Sequence, residues 1–378
     1  MGETKGETMR GRSRSVIALL AVAGLSVGLA ACGGSDNTAA TTDGAGAAPA
    51  TLRLGYVTTA QHPYGIAVTA FKSEVEAATN GAVSVELIPS YTGGDSKLLD
   101  DVAAGTVEMA AVSTATWDTK GVNVFQALQA PFLITNYGFD QSIIGGPVGT
   151  AMLESENGPK KLGLVGLGIL EGGLRKPLGA KVALKSPADF KGKKIRAPQS
   201  KVLSAALTAL GAEAVPLPVG DVFTALQNGT VDGMEANLGL ISTNKYNEVA
   251  KFVTQDVNLW PFPAAVVINQ AQFDKLSAEQ KSAIQAAGKN LAANSINVFL
   301  NPAPDATNFV ADLCTKGLTF AFAGPDNQKA LAEATKPAYD EISKDSEVAD
   351  FIKQIQDAKA SAPAPPKPPD LPAGCKKA

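Results

Sequence analysis

Residue types that could act in catalysis or metal binding are few in this chain of 378 residues, which has one histidine and three cysteines. A HExxH zinc site needs two histidines, and a four-cysteine zinc site needs a cysteine that the chain lacks. A Ser-His-Asp triad would have to use His62, which has no partner at a fixed spacing. The sequence therefore predicts neither a metal site nor a cofactor.

Two arginines are better placed for binding. Arg175 lies where the chain enters a second α/β unit, and Arg196 lies at the carboxyl end of a predicted strand. Ligands of open α/β sheets bind beyond such strand ends, and a planar guanidinium can hold a carboxylate by two hydrogen bonds. The alternative for Arg196 is a solvated basic face shared with Lys191, Lys193 and Lys194.

The overall charge is slightly acidic, since 33 Lys and Arg stand against 36 Asp and Glu, for a net charge of −3. A nucleic-acid-binding protein would normally carry a basic excess, so nucleic acid is not a predicted partner. The chain contains neither a GxSxG nucleophile pattern nor a GxxxxGK[ST] phosphate loop. A secreted enzyme remains an alternative of a different class, but no residue is indicated as its nucleophile.

The N-terminus has the pattern of an export signal. Basic residues precede an apolar run, Val16–Ala31, which is shorter than the roughly 20 residues of a membrane span. The run ends in Leu-Ala-Ala-Cys32, which resembles the bacterial lipobox and implies cleavage before Cys32 and lipidation of that cysteine. The alternative is an uncleaved anchor with an incidental cysteine. A lipid anchor would place the protein outside the cell, on the outer face of the cytoplasmic membrane.

The elements that position the arginines form two α/β units. Alternation over Thr51–Val57 and helical spacing over 64–79 begin a strand-helix-strand series that predicts a parallel sheet covered on both faces. A second series begins near Lys161 and contains the strand of Arg196. A capping box at 277–280 begins a long helix that reaches about Leu300, long enough to cross both units. These features predict a two-domain α/β fold.

Cys314 and Cys375 could pair in an oxidising compartment and pin the tail to the body, or they could remain two free thiols.

Composition and the positions of these elements divide the chain. The predicted divisions are a signal peptide (1–31), a flexible tether (32–50), domain I (51–172 plus 262–301), domain II (173–261 plus 302–360) and a proline-rich tail (361–378).

An ordered set of short motifs over about residues 52–300 closely resembles the DctP-type solute receptors of TRAP transporters, the tripartite, ATP-independent, ion-driven importers. No single motif is diagnostic, but the motifs occur in register and in order. They are His62-Pro63, Ala104-Gly-Thr-Val-Glu-Met109, Gly172-Gly-Leu-Arg175, Ser186-Pro-Ala-Asp-Phe-Lys-Gly192-Lys-Lys-Ile-Arg196-Ala-Pro198, Ala209-Leu-Gly-Ala212, Ala225-Leu-Gln-Asn-Gly229-Thr-Val-Asp-Gly233-Met-Glu235 and Leu276-Ser277.

The resemblance implies a hinged, periplasmic-binding-protein-like fold with a pocket between two domains and a long helix spanning both. The arginine matching Arg196 would form the salt bridge to a ligand carboxylate, and the arginine matching Arg175 would assist it. The implied function is a lipid-anchored receptor that passes a small organic acid to the TRAP membrane subunits. A receptor of the same fold serving a sensor kinase or another permease remains an alternative.

The chain departs from the family pattern at one position. Many members read Asp-Gly-x-Glu-Asn-Pro with a ligand-contacting asparagine, whereas here Ala236 follows Glu235 and the asparagine is Asn237. Ser113 matches a pocket position after the third strand. For the aromatic residues near the cleft, packing between the domains and contact with the ligand are equally good explanations. The full set of ligand-binding candidates is Arg196, Arg175, Asn237, Ser113, Glu235, His62, Trp117 and Trp260.

Overall fold

A computed structural model describes residues 48–300, 308–362 and 371–378. The predicted signal peptide, Cys32 and nearly all of the tether lie outside the described residues, as does 363–370 of the tail. Within the described ranges, no helix combines the length and the apolar character that crossing a membrane requires.

The first sheet has the strand order β2-β1-β3-β10-β4. Its central strands β3 and β10 are buried at every position, as expected for strands covered on both faces. The strands are β1 (Ala50–Tyr56), β2 (Val83–Ile88), β3 (Met109–Ser113), β4 (Leu164–Glu171) and β10 (Pro263–Asn269).

This sheet is mixed, whereas the sequence predicted a parallel one. Strands β1, β2 and β3 are parallel, but β10 runs antiparallel to both of its neighbours, β3 and β4. The physical reason is the path of the chain: β10 re-enters the first sheet after the chain has built most of the second, and it enters from the opposite direction. We call this sheet and the helices packed on it the first lobe.

The second sheet has the order β12-β11-β9-β5-β8-β6-β7 and forms the second lobe. Strand β6, which carries Arg196, is parallel to both β7 and β8, whereas β5 is antiparallel to β8 and β9. The strands are β5 (Lys176–Gly179), β6 (Lys194–Ala197), β7 (Glu213–Pro216), β8 (Gly233–Ala236), β9 (Phe252–Thr254), β11 (Thr319–Ala321) and β12 (Lys376–Lys377).

The helices begin and end at residues suited to these positions. Helix α1 has Pro63 in its first turn, and Asn80 and Gly81, which both have positive φ, follow its end. The helices are α1 (Pro63–Ala78), α2 (Gly94–Ala103), α3 (Tyr137–Ile144), α4 (Pro147–Glu154), α5 (Pro187–Phe190), α6 (Lys201–Ala209), α7 (Val222–Gln227), α8 (Leu238–Thr243), α9 (Gln270–Asp274), α10 (Ala278–Leu300), α11 (Phe309–Thr315), α12 (Gly324–Ala334), α13 (Lys336–Ile342) and α14 (Ser346–Ser361).

The long helix α10 lies along the first lobe, where it packs on β4, α1 and α3. Its packing on β4 is close, because a Cβ added to Gly288 would come within 2.3 Å of the carbonyl oxygen of Leu167. At the carboxyl end of the helix, the Phe299 ring stacks on Tyr137 and lies close to Gly173, where the chain crosses to the second lobe.

Two segments that cross between the lobes form a continuous antiparallel ribbon. Strands β4 and β10 pair at one end of the ribbon, and β5 and β9 pair at the other. Between them Arg175 N donates to Trp260 O at 2.8 Å, and Leu259 N donates to Arg175 O at 2.8 Å. The ribbon therefore holds Arg175 at the junction of the two lobes.

The C-terminal part of the chain contacts both lobes. Helix α14, which the sequence prediction placed in domain II, packs on the 3₁₀ turn Val124–Gln129 and on α4 of the first lobe. Its apolar side chains Phe351 and Ile355 join the first lobe's core, which is the physical reason for this placement. The chain then returns to the second sheet, where β12 pairs with β11 and a disulfide joins Cys314 to Cys375.

Candidate functional site

A buried ion cluster lies at the junction of the lobes, where one carboxylate serves two arginines. Glu235 of β8 is 1% exposed. Arg175 Nη2 donates to Glu235 Oε1 at 2.7 Å, and Arg175 Nε donates to Oε2 of the same carboxylate. Arg196 Nη1 lies 3.9 Å from Glu235 Oε1. The three side chains therefore carry a net charge of +1 in a site shielded from solvent.

Arg196 is held in place by backbone as well as by charge. Its Nε and Nη2 both donate to the carbonyl oxygen of Leu217, at 3.0 and 2.7 Å. Burial lowers the pKa of Arg196, while the charge of Glu235 opposes that shift. Because one edge of the guanidinium is occupied by Leu217, the group that remains for a ligand is Nη1, on the side of Glu235.

A pair of stacked aromatic rings lies beside the other arginine. The guanidinium of Arg175 lies over the ring of Phe262, with Cζ 4.4 Å from the ring centroid. Tyr64 stacks on the ring of Phe262, at 4.9 Å between ring centroids, and its hydroxyl donates to Phe262 O at 2.9 Å. A cation held against an aromatic face in a dry site is stabilised by the ring quadrupole.

The first lobe contributes a carboxylate that the sequence prediction missed. Asp95, in the first turn of α2, accepts a hydrogen bond from Ser113 N at 2.8 Å. Burial raises the pKa of Asp95 to about 6, and the charges of Arg196 and Arg175 oppose that rise. The available sequence signal was an acid placed soon after the carboxyl end of a strand, the same rule that identified Arg196.

His62 and Asn237 connect the two lobes beside this cluster. His62 caps α1 by accepting from Tyr64 N at its Nδ1, 3.2 Å away, so the remaining ring proton lies on Nε2. That nitrogen faces Asn237 Oδ1 at 3.3 Å. Burial lowers the pKa of His62 to about 3, and the charge of Arg175 acts in the same direction. The imidazole is therefore neutral at physiological pH.

Several buried polar atoms around the cluster have no hydrogen-bond partner among the described residues. They are Arg175 Nη1, Asn237 Nδ2 and Ser113 Oγ, the last lying near the Tyr64 phenol but outside hydrogen-bond geometry. Buried polar groups are nearly always hydrogen-bonded, so each of these groups needs a partner from a ligand or from water. The arrangement is suited to binding an anion that also carries polar groups.

A pair of carboxyl groups lies at the start of the ribbon. Glu171 Oε1 accepts from Gly173 N at 2.6 Å and from Phe262 N at 2.9 Å. Asp140 is buried against it, and burial together with the charge of Glu171 raises the pKa of Asp140 well above its ordinary value. Two adjacent buried carboxyls cannot both ionise, so Asp140 is the protonated partner. Sequence reasoning had not singled out this pair.

Most of the candidates from the sequence lie together. Arg175, Arg196, Glu235, Asn237, His62 and Ser113 surround the junction of the lobes. Trp260 contributes its backbone to the ribbon there, but its side chain packs in a hydrophobic core of the second lobe. Trp117 instead lies in the first lobe's core, packed edge-on against Phe125, and its Nε1 donates to Val112 O at 3.3 Å. Its indole is fully satisfied by the protein, which removes it from the candidate site.

In the described part of the chain, no group of three or more His, Cys, Asp or Glu side chains is arranged to hold a metal ion. The charged groups of the site are instead two permanent cations and two acids. Such a set can hold a charged solute by hydrogen bonds and ion pairs.

Comparison with known proteins places this site in a family context. The family described as DctP, bacterial extracellular solute-binding protein, family 7, matches residues 54–345. The C4-dicarboxylate-binding periplasmic protein DctP of Rhodobacter capsulatus is 32% identical over 242 residues, which cover 64% of this chain and 71% of that protein. The family match includes Arg175, Arg196 and Glu235 of the ion cluster.

Solved structures resemble the whole fold. A TRAP periplasmic solute-binding protein from Polaromonas sp. JS666, bound to D-erythronate, has a TM-score of 0.74 at 26% identity and covers 81% of this chain and 98% of its own. A TRAP periplasmic solute-binding protein from Shewanella oneidensis, with bound succinate, has a TM-score of 0.74 at 26% identity, with coverage of 82% and 99%. The two-domain periplasmic-binding fold expected from the sequence is thus confirmed.

Proposed function

Because the chain belongs to family 7 of the bacterial extracellular solute-binding proteins, the DctP family, we propose that it captures a small organic acid between its two lobes as the receptor of a TRAP transporter. The observation that carries this proposal is the pair of buried arginines sharing Glu235, with Arg175 Nη1 left unpartnered. The similar structures hold D-erythronate and succinate, which are both carboxylates.

In the proposed mode of binding, one ligand carboxylate lies beside Glu235 and accepts from Arg196 Nη1 and Arg175 Nη1. Glu235 and Leu217 fix the two guanidinium groups before the ligand arrives, so little side-chain entropy is lost on binding. Closure of the lobes removes water from the cluster, which strengthens each charge-assisted hydrogen bond. The ribbon through Arg175 and Trp260 is the segment that both lobes share during this motion.

We further propose that the receptor is a lipoprotein on the outer face of the cell membrane and delivers its ligand to the ion-driven membrane subunits. Support comes from the apolar run Val16–Ala31 with Cys32 directly after it, and from the extracellular character of the family. In the proposed mature protein, residues 33–49 connect the lipidated Cys32 to the strand that begins at Ala50.

Calorimetric titration of an Arg196→Ala variant with organic acids tests the proposed site. The variant loses Nη1 and leaves a desolvated ligand carboxylate with one partner fewer, so we expect Kd to rise by about 10²–10³-fold. Arg196→Lys should also bind poorly, because an ammonium cannot contact both Leu217 O and the ligand in the same planar geometry.

The matched control is Arg53→Ala, which removes an arginine paired with Glu108 at the other end of the first sheet. This variant should keep the wild-type affinity. Melting temperatures of all variants separate loss of binding from loss of folding. Wild-type affinity in a folded Arg196→Ala variant would contradict the proposed carboxylate site.

A further inference from the structure

A carboxylate of the first lobe binds the beginning of a helix in the second lobe. Asp118 lies in the 3₁₀ turn Trp117–Lys120 and is 1% exposed. Its Oδ2 accepts from Lys201 N at 2.8 Å, from Val202 N at 3.3 Å and from Ser200 Oγ at 3.1 Å. These three residues begin α6, with Ser200 as its N-cap. An anion is stabilised at this end of a helix, because the free N–H groups and the helix dipole both present positive charge.

The contact joins the segments that follow the carboxyl ends of two strands. In the first lobe Asp118 follows β3, and in the second lobe α6 follows β6, the strand of Arg196. Only Ala197–Gln199 separates Arg196 from Ser200. Ligands of α/β folds bind beyond such strand ends. Asp118 therefore ties the first lobe to the segment that carries an arginine of the ion cluster, while its own hydrogen bonds go to α6.

Helix α6 also packs on both lobes through its apolar side chains. Val202 is 3% exposed and belongs to the same apolar core as Trp117 of the first lobe. The next residue, Leu203, belongs instead to the second lobe's core around Ile195 of β6. The first turn of α6 is therefore a place where the two lobes meet, and Asp118 is the charged group at that contact.

The contact can break without loss of the helix. Ser200 Oγ also accepts from Leu203 N at 3.3 Å, which caps α6 from within the second lobe. When the lobes separate, Lys201 N and Val202 N become the solvated end of a helix, and Asp118 becomes a solvated carboxylate. A charge-assisted hydrogen bond is stronger where water is excluded, so this contact favours the closed lobes over the open ones.

On the basis of the proposed function, we infer that Asp118 is a positioning residue that holds the two lobes together around the ligand. Its carboxylate binds the start of α6 when the lobes close and releases it when they open. Because the lobes have to separate before the ligand can leave, Asp118 slows ligand release without touching the ligand.

Stopped-flow fluorescence of an Asp118→Ala variant measures this effect. The probes are succinate and D-erythronate, the acids held by the similar structures, within a broader panel of organic acids. We expect the dissociation rate and the Kd to rise by about tenfold, which corresponds to about 1.4 kcal/mol, with little change in the association rate. Asp118→Asn should lie between this variant and the wild type, because its amide oxygen still accepts but carries no charge.

Asp256→Ala is the matched control, because Asp256 also binds a helix N-terminus but does so within the second lobe. Its carboxylate accepts from Ala323 N at 2.8 Å and from Gly324 N at 2.9 Å, at the start of α12. Loss of such a contact should lower the melting temperature of both variants. Only Asp118→Ala should release the ligand faster.

Pulsed electron paramagnetic resonance tests the contact without a ligand. Spin labels at Asp100→Cys and Thr208→Cys lie on its two sides, because Asp100 is exposed and paired with Lys120 of the turn that carries Asp118, and Thr208 is exposed on α6. The native cysteines do not compete for the label when Cys32 is replaced by alanine, since the other two form the disulfide.

The outcomes separate this role from the proposed function. In ligand-free protein we expect the distances between the labels to shift to longer values in Asp118→Ala and to stay unchanged in Asp256→Ala. Unchanged distances, or a wild-type dissociation rate, in a folded Asp118→Ala variant overturn the role of Asp118, while the Arg196→Ala titration still measures the proposed function. If no organic acid binds the wild type, the proposed function fails, and the ligand-free distances alone decide whether Asp118 holds the lobes together.

Discussion

At the scale of single residues, the site depends on a buried acid that has more cationic neighbours than it can neutralise. Glu235 is bonded by Arg175 on two atoms and approached by Arg196, while the backbone oxygen of Leu217 holds the second guanidinium. Removing one member of a buried ionic pair usually costs about 3–5 kcal/mol, because the partner is left uncompensated. Glu235 therefore compensates the buried positive charges of the two arginines, in addition to any contact with ligand.

The protonation of His62 provides a test at this scale. The unfolded chain has a histidine with an ordinary pKa of about 6.5, whereas burial lowers the pKa of His62 in the folded protein to about 3. The unfolded state therefore binds a proton first as the pH falls, and His62 contributes stability that is present above pH 6.5 and is lost below it. The loss amounts to about 2 kcal/mol between pH 7 and pH 5.

A His62→Asn variant should lack this loss, since asparagine also caps helices and does not titrate. We expect the stability difference between wild type and variant to shift by about 2 kcal/mol in favour of the variant as the pH falls from 7 to 5. Urea unfolding at several pH values measures it. Asp95 and Asp140, whose pKa values are raised, act in the opposite direction in both proteins and cancel in the difference. A difference independent of pH would mean that His62 has an ordinary pKa in the folded protein.

Sequence reasoning could point to residues whose own type carries a signal. Arg175 and Arg196 stood out because a planar cation near a strand end can hold a carboxylate, and the structure buries both beside Glu235. Leu217 could not be found, because it acts through its backbone oxygen. Trp117 was misleading because a tryptophan near a strand end packs in a core as readily as it lines a cleft. The sequence does not distinguish these two positions, whereas the observed packing of Trp117 against Phe125 does.

At the scale of elements, the contact between α10 and β4 depends on two facing glycines. A Cβ on Gly288 would lie 2.3 Å from Leu167 O, and a Cβ on Gly168 would lie 2.1 Å from Gly288 O. The helix and the strand can approach this closely only where both residues lack a side chain. The long helix is thereby fixed to the first lobe over its middle turns.

Substitution of Gly288 by alanine separates packing from helix propensity. In an exposed helix this change would stabilise by roughly 1 kcal/mol, but overpacking here should cost about 1–3 kcal/mol and outweigh the gain. We expect a lower melting temperature for Gly288→Ala in thermal unfolding. Gly220→Ala is the control, because no atom lies within 4 Å of its added Cβ and its stability should change little. A stabilised Gly288→Ala variant would show that the helix and the strand are not in close contact.

Elements with strong local patterns were predictable, and their pairing was not. Apolar periodicity and caps located α1, β6 and α10 in the sequence, because these signals lie within a few turns of chain. The position of β10 between β3 and β4 depends on contacts between residues far apart in sequence. Likewise, the local apolar pattern of α14 indicates which side of the helix packs. It does not indicate which lobe the helix covers.

At the scale of the whole molecule, the proposed lipid anchor should be independent of binding. Strand β1 begins at Ala50, and Cys32 lies 50 − 32 = 18 residues before it in the sequence. We expect Cys32→Ala to move the protein from the membrane fraction to the soluble fraction in cell fractionation, with an unchanged Kd for its ligand. Cys375→Ser, which removes a different cysteine, should stay with the membrane. A soluble Cys32→Ala variant that no longer binds would mean that the N-terminal segment contributes to the folded body.

The insertion of β10 also constrains the order in which the protein can form. A chain that emerges from its N-terminus presents β1, β2 and β3 early, but β3 and β4 have no common neighbour until residue 269 has appeared. Before that point each of these buried strands would offer a row of unpaired backbone groups, which is a template for pairing with other chains. The first lobe therefore cannot fold in the order of synthesis, because five of the seven strands of the second sheet precede β10. A chaperone or the export machinery accordingly has an unfolded polypeptide to bind for most of synthesis.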